Sequence, residues 1–126
     1  MSDFIDSLKF DTQGLIPAIA QQHDSGEVLM LAWMNREAIE QTMLTGQVCY
    51  WSRSRGRLWR KGETSGQVQR LVELRIDCDQ DALLVKVDQT GLACHTGRRT
   101  CFFGRVQDDK ILAVEPIVTD PAILYR

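Results

Sequence analysis

Apolar and polar positions along this chain alternate in short runs bounded by turn-forming residues, a pattern that predicts strands more often than helices. Two apolar runs, Ala18-Ile19-Ala20 and Val28 to Trp33, flank His23-Asp24-Ser25-Gly26. Residues from about Pro17 to Trp33 therefore predict a hairpin, with His23 in its turn. Asn35 to Thr45 carries the clearest helix signals: Asn35 as N-cap, Glu37 in the first turn, and Ala38, Ile39, Thr42 and Met43 at three-to-four spacing. Gly46 stands just past its end. Met30, Met34 and Met43 read as core filler, and Cys49 as packing within a strand from Gln47 to Ser52.

That strand delivers the chain into a polar loop. Beyond it, from Val68, residues Val72, Leu74, Ile76 and Cys78 take one side while Glu73, Arg75, Asp77 and Asp79 take the other, as in a half-buried strand. Another strand at Leu83 to Asp88 leads to a turn at Gln89-Thr90-Gly91. Phe102-Phe103 and Ile111 to Val114 are further strand candidates around a turn at Gln107 to Lys110, and Pro116 and Pro121 mark an irregular tail. The expected fold is mainly β (α+β): a small, mostly antiparallel sheet with one main helix.

Length and composition add bounds to this picture. The chain has 126 residues, the size of one domain, with 44% hydrophobic and 25% charged residues, as in globular proteins. A formal charge of −2 gives no global attraction to nucleic acid or anionic membrane. The acidic start of the chain does not resemble a secretory signal, and no apolar run approaches the roughly 20 residues that span a bilayer. A cytoplasmic location is expected, where four cysteines are thiols or metal ligands sooner than disulfides.

Unusual chemistry is concentrated between Asp77 and Cys101. Asp77, Asp79 and Asp81 are spaced by two, which on a continuing strand would crowd three carboxylates on one face. Mg²⁺ resolves such crowding, and a solvated strand end that discourages edge pairing is the plainer alternative. Cys78, Cys94 and Cys101 are sixteen and seven residues apart, unlike a C-x-x-C pair. Three thiolates would leave an open position on a catalytic Zn²⁺, whereas Cys78, on the apolar side of its strand, also reads as a buried core cysteine. His95, next to Cys94, suits a ligand, a residue behind the ligands, or the base for a water proton.

Upstream, Arg53, Arg55, Arg57, Arg60 and Lys61 are interleaved with Ser52 and Ser54 and followed by Glu63, Thr64 and Ser65 in a glycine-bearing loop. Several donors on an adaptable backbone suit phosphate; a solvated charged face is the alternative. Two other classes fit parts of the pattern: a zinc-stabilised nucleic-acid-binding module using the basic run with nearby tryptophans, and a thiol redox protein cycling Cys94 and Cys101.

Four motifs in order carry a family resemblance: Trp51-Ser52-Arg53-Ser54-Arg55, Leu58 to Gly66, Asp77-Cys78-Asp79-Gln80-Asp81, and Asp88 to Gly97 followed by Cys101-Phe102. From about Gly14 to Phe103 the chain closely resembles phosphoribosyl-AMP cyclohydrolases of histidine biosynthesis. The resemblance implies hydrolysis of the N1–C6 bond of N1-(5-phosphoribosyl)-AMP by an intertwined homodimer. It implies Zn²⁺ on Cys94 and Cys101 of one chain and Cys78 of the other, Mg²⁺ on Asp77, Asp79 and Asp81, and an important histidine at His95. Arg53, Ser54, Arg55, Lys61, Glu63, Thr64 and Ser65 become the expected substrate-binding set. Trp51 or Trp59 offers stacking for the purine or packing for the dimer.

Overall fold

The computed structural model describes residues 3–124. A short helix α1 (Asp3–Asp6) leads to β1 (Ile16–Gln22) and β2 (Val28–Met34), which pair antiparallel across the His23–Ser25 turn. Helix α2 (Arg36–Thr45) begins where Asn35 accepts from the Ala38 amide at 2.8 Å. It ends where Gly46, in the left-handed region, donates to the Thr42 carbonyl. Strands β3 (Cys49–Ser52), β4 (Arg57–Arg60), β5 (Gln69–Ile76) and β6 (Leu83–Gln89) complete a six-stranded sheet of order β4-β3-β2-β1-β6-β5. A separate hairpin, β7 (Gly104–Gln107) and β8 (Lys110–Ala113), and a short α3 (Pro121–Leu124) follow.

Its ladders are antiparallel except one: β1 and β6 run parallel, from Ala18 opposite Leu83 to Gln22 opposite Val87. The sheet curls, so that a bridge joins Gln47 to Arg70 and the Val48 amide donates to the Gln69 carbonyl. Inward residues of β1 and β6, Ile16, Ala18, Ala20, Leu83, Val85 and Val87, alternate as period-two patterning demands and meet Ala38 and Ile39 of α2. Ile5 and Leu8 from the N-terminal segment close this core, a contribution with no signal in the sequence pattern.

Several expectations are corrected. The basic run is not all loop: Arg57 to Arg60 form β4, because β3 supplies a partner for each residue from Cys49 opposite Arg60 to Ser52 opposite Arg57. On β5 a bulge between Leu71 and Glu73 turns Val72 out to solvent and brings Leu71 into the inward set with Leu74 and Ile76. That strand stops at Ile76, so Cys78 has no strand parity and is exposed rather than a core cysteine. Phe102 and Phe103 precede β7 instead of forming a strand, and the tail contains α3. Met30 and Met34 are core residues, but Met43 is 47% exposed on α2. Among the described residues, no helix is long and apolar enough to cross a membrane.

Candidate active site

The basic run builds a cavity of about 340 Å³ lined by Ser52, Ser54, Arg55, Trp59, Arg60, Lys61, Gly62, Glu63, Thr64 and Ser65. β3 and β4 form one wall, and the turn after Lys61 returns the chain over it. Gly62 has φ +87°, and a Cβ there would stand 2.6 Å from the Gln67 and Val68 backbone, so this return admits only glycine. Six of the seven expected substrate-binding residues line the cavity. Arg53 does not: its guanidinium lies 4.5 Å over the Trp33 ring, outside the lining. Arg57 is paired with Glu63 at 3.3 Å, leaving Arg55 and Arg60 as the arginines that line the cavity. Arg60, outside the expected substrate-binding set, lines the cavity from the same run of cations. Trp59 packs on Tyr50 with ring centroids 5.1 Å apart and also lines the cavity. Trp51 faces Trp33 across the sheet.

A second cavity of about 480 Å³ lies beside the His23–Ser25 turn, lined by Gln22, Asp24, Ser25, Glu27, Leu29, Gln89, Gly91 and Arg99. Its arginine is already held by Glu27 at 2.8 Å, and Asp24 adds a carboxylate, so its electrostatics disfavour a phosphate.

The thiol loop lies beyond the Gln69/Gln89 end of the β5–β6 pair. The Gly97 amide donates to the Cys94 carbonyl, closing a turn that contains His95, which is exposed. The Cys101 amide donates to the Leu29 carbonyl at 2.7 Å, and Thr100 reaches the Val28 carbonyl at 2.7 Å. Cys94 and Cys101 thus come together. Cys94 is buried and lies 3.0 Å from the Thr96 hydroxyl; Cys101 is exposed as a residue, with its thiol beside that of Cys94. Loss of water around the Cys101 sulfur, together with the adjacent Cys94 thiol, pushes its pKa up to about 12. The Lys61 ammonium opposes that rise and is itself lowered by burial. It donates to the Ala93 carbonyl at 2.7 Å.

Asp77, Asp79 and Asp81 gather in a turn rather than by strand alternation. Gln80 takes φ +66°, and Asp77 Oδ1 accepts from the Asp81 and Ala82 amides at 3.0 and 3.1 Å. One ligand oxygen from each of the three exposed carboxylates lies within 4.8 Å of the others, a donor set that fits a hard divalent cation. Hydrogen bonds that the Asp81 carboxyl donates to Asp79 and Asp77 raise its pKa to about 6. Loss of water pushes Asp77 upward, but hydrogen bonds from Asp79, Asp81 and the backbone outweigh it and hold this carboxyl below its ordinary range.

Cys78 sits in that acidic turn, next to Ile76 and Leu83, whereas Cys94 and Cys101 lie past Gln89. The seven residues of β6 separate them, roughly 20 Å of strand. One chain therefore brings together two soft ligands, not three. The chain carries two separate clusters: an acidic turn with one thiol at one end of β6, and a thiol pair with the basic cavity at the other.

Residues 30–103, which contain both clusters, match the family model for phosphoribosyl-AMP cyclohydrolase. The chain belongs to the phosphoribosyl-AMP cyclohydrolase family. A phosphoribosyl-AMP cyclohydrolase of Granulibacter bethesdensis is 66% identical over 127 residues, covering 99% of this chain and 98% of that protein. Others of the same name, from Halorhodospira halophila and Alcanivorax borkumensis, are 64% and 65% identical over 98% and 99% of this chain and 87% and 88% of their own length. The β7–β8 hairpin of this phosphoribosyl-AMP cyclohydrolase family member lies outside the matched residues.

Proposed function

We propose that this chain opens the adenine ring of N1-(5-phosphoribosyl)-AMP by hydrolysing the N1–C6 bond, as a zinc- and magnesium-dependent homodimer in the cytoplasm. The observation that carries the reading is the separation of the two clusters along β6. A two-fold pairing that sets the acidic turn of one protomer against the thiol loop of its partner completes two equivalent sites at once. Surface for such a pairing is present. Ile19, Leu31 and Leu84 are register partners that form an apolar row on the outer face of β2, β1 and β6. The β7–β8 hairpin holds Val106 and Ile111 at 75% and 78% exposure, a cost that a partner surface removes.

In this reading Cys94 and Cys101 hold zinc with Cys78 of the partner subunit, and Asp77, Asp79 and Asp81 hold magnesium. Zinc held by these thiolates would supply the chemistry of a water made acidic enough to provide hydroxide near neutral pH. Substitution at N1 makes the purine cationic and C6 electrophilic. His95, exposed in the turn after Cys94, accepts the proton of the attacking water or returns one to N1 as it leaves. Arg55, Arg60, Ser54, Thr64 and Ser65 offer donors to a substrate phosphate, and the Trp59 ring offers a face for the base. Binding energy from the phosphates then fixes the ring where it reacts.

Metal analysis combined with an absorbance assay of ring opening tests this. The expected result is about one zinc per chain, with Cys94→Ala losing both zinc and turnover. Asp79→Ala should keep zinc and lose the normal response to magnesium. Full activity in Cys94→Ala would overturn the mechanism.

A further inference from the structure

We infer that Lys61 is a positioning residue for the thiol pair, clamping the backbone that presents Cys94, rather than a ligand for substrate phosphate. The inference rests on the zinc reading above and assigns to Lys61 a role different from its neighbours in the basic run.

Burial is the first observation. Lys61 is 7% exposed, whereas Arg53, Arg55, Arg57 and Arg60 are all exposed. A lysine that grips phosphate as a point charge keeps its ammonium at the free end of a flexible stem. Here the stem runs inward, and the ammonium is taken out of water, which is unfavourable unless it gains fixed partners. One partner is the Ala93 carbonyl at 2.7 Å, the peptide group immediately before Cys94. Its charge also acts on the thiols of both Cys101 and Cys94.

Anchorage at both ends is the second observation. The Lys61 amide donates to the Val48 carbonyl at 3.0 Å, so the residue starts from the sheet. Just downstream, Gln67 Oε1 accepts from the Leu92 amide at 2.6 Å. Residues 61 and 67 thus hold two consecutive positions, Leu92 and Ala93, on the approach to Cys94. On the other side, Arg98 and Arg99 carbonyls accept from the Cys94 and Ala93 amides. Two sulfurs on one tetrahedral zinc stand roughly 3.8 Å apart, as Zn–S bonds near 2.3 Å require. Such a tolerance needs a loop held from several directions. Three thiolates on a divalent ion also leave a net negative centre, and a buried ammonium beside two of them offsets it.

Lys61→Met, Lys61→Arg and, as a contrast from the same cavity, Arg55→Ala separate the two roles. Each variant is checked for native circular dichroism, then measured for zinc loss to a chromophoric chelator, for thiolate-to-metal absorption with Co²⁺ in place of zinc, and for kcat and KM. Lys61→Met should yield zinc to the chelator about ten- to a hundredfold more readily. It should weaken the cobalt–thiolate band and lower kcat while leaving KM within about twofold of wild type. Lys61→Arg, which restores charge and donor, should regain part of the metal affinity. Arg55→Ala should raise KM and keep zinc. If Lys61→Met holds zinc as tightly as wild type, with an unchanged cobalt spectrum, the inference is overturned; a raised KM alone would then make Lys61 a phosphate ligand. Should Lys61→Met fail to fold, Lys61→Gln and Lys61→Arg decide the matter by the same metal readouts. Wild-type protein that binds no zinc would instead remove the zinc reading itself, a distinct failure.

Discussion

The Tyr50 hydroxyl donates a 2.7 Å hydrogen bond to Gln69 Oε1, and both side chains are fully buried. Gln69 Nε2 continues to Gln89 Oε1 at 2.9 Å, and Gln89 Nε2 reaches the Gln67 and Thr90 carbonyls at 3.0 and 2.9 Å. A chain of polar groups therefore runs from the core under β3 to the segment that leads into the thiol loop. Burial raises the Tyr50 phenol far above its ordinary pKa, so it remains a neutral donor throughout the working pH range.

Removing that donor tests the network. Tyr50→Phe leaves the buried Gln69 oxygen without its partner and should destabilise the fold by about 1–3 kcal/mol. A thermal melt measures it; an unchanged Tm would mean that the oxygen finds another donor.

Mixing inactive chains tests the shared site. Cys78→Ala and Cys94→Ala homodimers should each be inactive, whereas in a mixed dimer one of the two sites carries neither substitution. Random reassortment of equal amounts makes half the dimers mixed, each with one complete site, so about a quarter of wild-type activity should return. No recovery after verified subunit exchange would place all three thiols in one chain.

Magnesium binding should be linked to protons. In the cation-free protein Asp81 keeps its proton up to about pH 6, because Asp79 and Asp77 crowd it. A cation must displace that proton below pH 6 and finds the site ionised well above it. Affinity should therefore fall as pH drops through 6. Calorimetry in buffers of different ionisation enthalpy should detect proton release approaching one per site near pH 5 and little near pH 8; Asp81→Asn should abolish the difference. The stability linkage has the opposite sense. A carboxyl raised from 3.8 in the unfolded chain contributes stability below that value and loses it as pH rises through 6.

Gly97 offers a test of the thiol loop itself. It has φ +85°, and a Cβ there would stand 1.9 Å from the Thr119 carbonyl oxygen, where the tail lies across the loop. The Val118 amide donates to the Gly97 carbonyl at 2.8 Å. Gly97→Ala should cost about 1–3 kcal/mol in backbone strain and, by moving the tail, loosen zinc. A melt and a chelator assay measure the two effects separately.

The legible parts of this protein were those governed by nearest neighbours. α2 follows from Asn35, Glu37 and Gly46 because caps act within one turn, and β1, β2 and β6 follow from short apolar runs bounded by turn residues. β5 was half legible: its bulge at Val72 depends on how β6 pairs with it, which its own residues do not encode. β4 was hidden because a run rich in arginine reads as loop until β3 supplies a partner strand.

By itself the sequence determined which residue types were available for chemistry: soft thiols, hard carboxylates and a cluster of cations, with motifs that identify the family. Only the tertiary structure decided which of them meet. The turn with Gln80 in the left-handed region gathers Asp77, Asp79 and Asp81, where an extended strand would have spread them. The length of β6 keeps Cys78 from Cys94 and Cys101, and Lys61 is buried while the arginines of its run stay in water. The physical reason is the range of the interactions: caps and alternation act over a few residues, whereas the distance between the acidic turn and the thiol pair depends on sheet order and strand length across the whole chain.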